Sequence, residues 1–125
     1  MPAAVRRALA AHAEAEAPNE ACGLLVLRDG VAEDYLPCIN DAASPFRFEL
    51  RAPDPSLVLD LEDDGYELAV FHSHPTDSAR PSQTDLANIG LWENRPYLIL
   101  SRATRELAAW RIREGAVEPL PLQDA

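Results

Sequence analysis

Apolar and polar positions follow two rhythms along the chain, and the switches between them predict its elements. Residues 2–16 carry Val5, Leu9 and His12 at helical spacing, with Pro2 suited to a first turn. This reads as an amphipathic helix, ended by Pro18-Asn19, with His12 at its surface or edge. Leu24-Leu25-Val26-Leu27-Arg28 is short and apolar, as a buried strand is, and Asp29-Gly30 after it is a strong hairpin signal. The return strand is expected over 31–39 and a loop over 40–45. Phe46-Arg47-Phe48-Glu49-Leu50 alternates apolar and charged residues, the pattern of a half-buried strand or extended segment. Asp54-Pro55 opens a helix with an Asp cap and Pro at the first position. It is expected to reach about Asp63, with Leu57, Val58 and Leu61 facing inward.

Gly65 closes that connection, and Glu67-Leu68-Ala69-Val70-Phe71 starts a strand running into His72-Ser73-His74. Pro75 has no N–H for a ladder and should stop it. A helix is expected from Ser82, with Leu86, Ile89 and Trp92 on its apolar side, closed by Arg95-Pro96. Tyr97-Leu98-Ile99-Leu100-Ser101 reads as a buried strand, 107–113 as its hairpin partner, and 116–122 as a last strand after Glu114-Gly115. Trp92 and Trp110 are expected in the core. Helices interspersed with hairpins and crossovers predict an α/β fold with a mixed β-sheet flanked by helices.

A chain of 125 residues suits one domain, taken as 1–125. No apolar run approaches the roughly 20 residues of a membrane span. The N-terminus lacks a long apolar segment, so a cytoplasmic location is expected. Cys22 and Cys38 are then expected to be free thiols. A net charge of -10 argues against a nucleic-acid partner, which needs a basic surface.

The candidate chemistry sits at the end of the histidine strand. Side chains in a strand alternate faces, so His72 and His74 project together and Ser73 the other way. One histidine near a strand end is usually structural; two at this spacing with a carboxylate downstream shift the balance toward a metal. Three N/O ligands with the fourth position left to water is the catalytic zinc pattern. Ser82-x-x-Asp85 resembles a capping box, which explains Asp85 without a metal. The same first helical turn can aim Asp85 at the histidines, so both readings stand. Ser82 is either only the cap or a donor to a developing oxyanion. Glu20, by itself, is a solvated acid at a helix-to-strand junction. Cys22 reads as a small buried hydrophobe, and Gly23 as a place of close backbone packing.

Together these residues resemble a known family. His72-x-His74, seven residues, Ser82, two residues, Asp85 is similar to the signature of the JAMM (MPN-plus) metallopeptidases. Pro18-Asn19-Glu20-Ala21-Cys22-Gly23-Leu24-Leu25 resembles the family's glutamate motif, in the family's order. The resemblance implies a cytidine-deaminase-like mixed sheet between helices. It also implies Zn2+ held by His72, His74 and Asp85 with water as fourth ligand. Glu20 would be the general acid/base and Ser82 the oxyanion stabiliser. The implied reaction is amide or isopeptide hydrolysis after the C-terminal Gly-Gly of a ubiquitin-like or sulfur-carrier protein. The chain is most similar to the compact stand-alone prokaryotic type, since 41–54 leaves little room for a ubiquitin-gripping insertion. A phage-tail-type peptidase and a non-catalytic MPN scaffold are the alternatives, although a scaffold would be expected to have lost ligands. A zinc deaminase wants His-x-Glu and Pro-Cys-x-x-Cys, and neither is present.

Overall fold

The computed structural model describes residues 1–122. In chain order the elements are α1 (Ala3–Glu16), β1 (Cys22–Arg28), β2 (Val31–Pro37), β3 (Ile39–Asn40), β4 (Leu50–Arg51) and α2 (Pro55–Asp63). They continue with β5 (Glu67–His74), α3 (Gln83–Ala87), β6 (Pro96–Ser101), β7 (Leu107–Arg113) and β8 (Ala116–Leu120). Six strands form one mixed sheet in the order β2-β1-β5-β6-β7-β8, and β3 and β4 pair separately. Among the described residues only β5 and β6 run parallel, and α3 lies in the crossover between them. Asp29 and Gly30 both take positive φ, 52° and 79°, as a two-residue hairpin turn requires, and Arg28 pairs with Val31.

Strand alternation sorts the core onto two faces. Val5 and Leu9 of α1 pack on Leu25, Ala69, Phe71 and Leu98. The opposite face carries Leu24, Leu68, Val70 and Ile99, covered by α2, the 48–52 segment and the region around Trp92. Even-numbered residues of β5 therefore face away from α1, and His72 and His74 join that side. Among the described residues no helix is long and apolar enough to cross a membrane.

Several elements depart from the sequence expectation. The return strand does not run to Ile39: Pro37 ends it, and Cys38 donates its N–H to Cys22 O at 3.0 Å. The alternating 46–50 segment contributes only Leu50 to a strand, and Phe46 is 71% exposed. There the side chain of Asn40 takes backbone groups that a ladder would have used, accepting from Glu49 N–H at 3.0 Å and donating to Arg47 O at 3.2 Å. In α2, Val58 and Leu61 pack on the core but Leu57 is exposed. The helix from Ser82 stops at Ala87; Asn88 caps it and Gly90, at φ 47°, opens a short 3-10 turn over Gly90–Trp92. Trp92 and Trp110 are half-buried rather than central. His12 is not a plain surface residue: its Nδ1 lies 2.6 Å from Tyr35 Oη.

Candidate metal centre

The structure brings all five sequence candidates to one end of the sheet. β5 carries His72 and His74, both buried, onto the same face. Asp85 enters from the first turn of α3, held there by a complete capping box. Its N–H donates to Ser82 Oγ at 3.0 Å, and Ser82 N–H donates to Asp85 Oδ2 at 3.0 Å. Glu20 arrives at the start of β1 because Cys22 pairs with His72 across the antiparallel β1–β5 ladder. It is 2% exposed, and its Oε1 lies 3.9 Å from His72 Nε2.

Three donor atoms converge. His72 Nε2 and His74 Nε2 are 3.1 Å apart. Asp85 Oδ2 lies 3.3 Å from the first and 2.9 Å from the second. Tetrahedral zinc with bonds near 2.0–2.2 Å has ligand–ligand edges of about 3.3–3.6 Å, so these spacings lie at or a few tenths of an ångström inside those of one such ion. Glu20, His72 and His74 also form a buried group whose ligand atoms lie within 4.8 Å of one another. Asp85 is the closer carboxylate, since Glu20 Oε1 stands beyond the imidazole spacing. Glu20 Oε1 and His72 Nδ1 have no hydrogen-bond partner among the described residues, which suits a carboxylate left free for a ligand. His74 Nδ1 donates to Ser78 O at 2.7 Å, which leaves its Nε2 lone pair facing the cluster.

The charges are set by burial and by one another. Burial, with the Asp85 carboxylate, pushes Glu20 up to about 8. Burial also pushes Asp85 up, yet its contacts with His72, His74 and Ser82 N–H hold it well below the usual carboxylate range. His72 is drawn down by burial. His74 is also opposed by burial, but Asp85 and the Ser78 carbonyl carry it above its ordinary value. The two carboxyls of the site are thus pushed in opposite directions, Asp85 down and Glu20 up.

Neighbours that no motif pointed to complete the site. Phe48 stacks on His72, with centroids 4.6 Å apart at 24°, and Tyr97 meets the same ring edge-on at 5.1 Å and 67°. Ser73, on the opposite face of β5, accepts Ala21 N–H on Oγ at 2.8 Å and donates its own N–H to Ala21 O at 3.0 Å. The alternation of residues 46–50 is the sequence signal for Phe48, and nothing local marks Ser73 as a partner of Ala21.

A mixed sheet flanked by helices is the fold of JAB1/MPN domain proteins, and here two imidazoles and two carboxylates gather at one end of it as a candidate metal site. The chain belongs to the prokaryotic homologs of the JAB domain, whose family model matches residues 2–113. It is 32% identical over 122 residues to the CysO-cysteine peptidase of Mycobacterium bovis, covering 92% of this chain and 83% of that one. Its fold matches the solution structure of DSY2949 from Desulfitobacterium hafniense with TM-score 0.77 and 32% identity, over 96% of this chain and 90% of the other. It also matches AF2198, a JAB1/MPN domain protein from Archaeoglobus fulgidus, with TM-score 0.60 and 19% identity, over 98% and 91%. The last likeness speaks to the fold alone.

Proposed function

We propose that the chain is a zinc-dependent peptidase. It hydrolyses the amide or isopeptide bond after the C-terminal Gly-Gly of a ubiquitin-like or sulfur-carrier protein. The observation that carries this reading is the approach of His72 Nε2, His74 Nε2 and Asp85 Oδ2 to within 2.9–3.3 Å of one another, with Glu20 Oε1 overhanging at 3.9 Å. His72, His74 and Asp85 would hold the ion. Zinc, when bound, supplies Lewis acidity that makes water reactive near neutral pH and polarises a carbonyl. Glu20 takes the proton from the attacking water on Oε1 and returns it to the leaving amine nitrogen. Ser82 Oγ is occupied as an acceptor from Asp85 N–H, so its own proton remains for a developing oxyanion.

The carrier substrate is supported by the mycobacterial relative, whose name is CysO-cysteine peptidase. We take residues 1–125 as one catalytic domain, supported by the extent of the family match. A cytoplasmic setting is supported by two free buried thiols, Cys22 and Cys38.

The test is Glu20→Gln, compared with the native chain on carrier fusions that extend beyond Gly-Gly, read by intact mass with and without a chelator. Zinc content should be unchanged while turnover drops by about 10²–10⁴-fold. Undiminished hydrolysis by the variant removes Glu20 from its role. A zinc-loaded native chain that leaves every fusion intact removes the carrier substrate.

A further inference from the structure

Asn40 is the hub of a clamp that reaches both Glu20 and His72. It ends β3, and all four hydrogen-bonding positions of its side-chain amide are used. Nδ2 donates to Glu20 O at 3.0 Å and to Arg47 O at 3.2 Å, while Oδ1 accepts from Ala42 N–H and Glu49 N–H, each at 3.0 Å. A second strap comes from the same loop, since Glu20 N–H donates to Ser44 O at 2.9 Å. Both backbone polar groups of Glu20 are therefore held by residues 40–44. The far end of the loop delivers Phe48, whose ring lies on His72 at 4.6 Å.

The buried Glu20 Oε1 has no comparable tether: it has no hydrogen-bond partner among the described residues, and its near neighbour is His72 Nε2 at 3.9 Å. Its place above the imidazoles is consequently set through its backbone, and the backbone is set by Asn40 and Ser44. We propose that Asn40 is a positioning residue. It registers Glu20 against the histidines and keeps Phe48 stacked as a wall on His72. This rests on the reading of Glu20 as the proton carrier. Asparagine is the side chain the arrangement needs, because two carbonyls and two N–H groups converge on it. Aspartate has the same shape and can still accept from Ala42 and Glu49, but it sets a carboxylate against the carbonyls of Glu20 and Arg47.

Asn40→Asp separates this role from general scaffolding. Zinc stoichiometry and zinc affinity should stay within about threefold of the native chain, as should KM. By contrast kcat should fall about 100-fold, the order expected of a misplaced catalytic group. Native-state hydrogen exchange gives a reading that needs no turnover. In the native protein the Asn40 side-chain NH2 should exchange slowly. In the variant the Glu20 amide should lose protection while Leu24–Val26 in β1 keep theirs. A fast-exchanging Asn40 amide in the native protein, or an unchanged Glu20 amide in the variant, overturns the proposal. So does a kcat within twofold of native, or a loss of kcat, KM and zinc affinity in step with the unfolded fraction. Should the exchange pattern appear while no carrier is cleaved by the native chain, the clamp stands and the carrier-substrate reading falls.

Discussion

Gly23→Ala is the substitution whose cost follows most directly from the coordinates. A Cβ built on Gly23 would lie 2.3 Å from Tyr35 Oη and 2.5 Å from both Cε1 and Cζ. Ordinary contact begins near 3.4 Å, so the ring must retreat by about 1 Å. It has little freedom to do so. Tyr35 is 6% exposed, its hydroxyl lies 2.6 Å from His12 Nδ1, and its edge meets Phe71 at 5.5 Å and 86°. Overpacking of this kind costs about 1–3 kcal/mol. Pulling the phenol off the imidazole adds about 0.5–1.5 kcal/mol. The sum, about 1.5–4.5 kcal/mol, corresponds to a fall in Tm of about 10 °C for a chain of this length. Urea denaturation followed by circular dichroism, at fixed zinc, measures it. Tyr35→Leu in the same background should recover at least about 1 kcal/mol of the combined loss, because the two residues touch. A Gly23→Ala protein within 0.5 kcal/mol of native, or strictly additive single variants, would show that Tyr35 is not what forces glycine here.

Three further outcomes are expected. Zinc at about 100 times its Kd should stabilise the native chain by about 2.7 kcal/mol, raising Tm by about 10 °C, and His74→Ala should abolish the gain; a chelator-insensitive Tm in the native chain refutes the site. Burial pushes the thiols of Cys22 and Cys38 up to about 12 and about 11, so neither should react with iodoacetamide at pH 8 in the folded protein, while both should react in denaturant; rapid native labelling contradicts their burial. Burial lowers His12, with Glu16 opposing, so the unfolded chain binds its proton first. Stability should decline as pH falls below about 6.5, and His12→Gln should flatten that part of the urea-midpoint profile; an unchanged slope rejects the contribution.

Local pattern carried much of the site. Period-two alternation was enough to put His72 and His74 on one face, and their Nε2 atoms lie 3.1 Å apart. The Ser82-x-x-Asp85 spacing was read both as a capping box and as a carboxylate mount, and the same carboxylate oxygen serves both, taking Ser82 N–H while facing the imidazoles. Asp29-Gly30 and Asp54-Pro55 marked a turn and a helix start because their backbone requirements are local. The glutamate motif was legible only through its family likeness, since Glu20 alone looks like a solvated acid.

Distance along the chain is where the sequence stopped and the fold took over. Ala21 and Ser73 are 52 positions apart, and only the β1–β5 register sets Glu20 beside His72. The loop between β3 and β4 has no ladder of its own; one side-chain amide, Asn40, decides its course and so decides that Phe48 covers His72. The reason is physical. Hydrophobic period and capping chemistry specify which way a side chain leaves its own backbone. Which distant backbone it meets is chosen by the burial of the whole sheet and by polar groups that must find partners once water is gone.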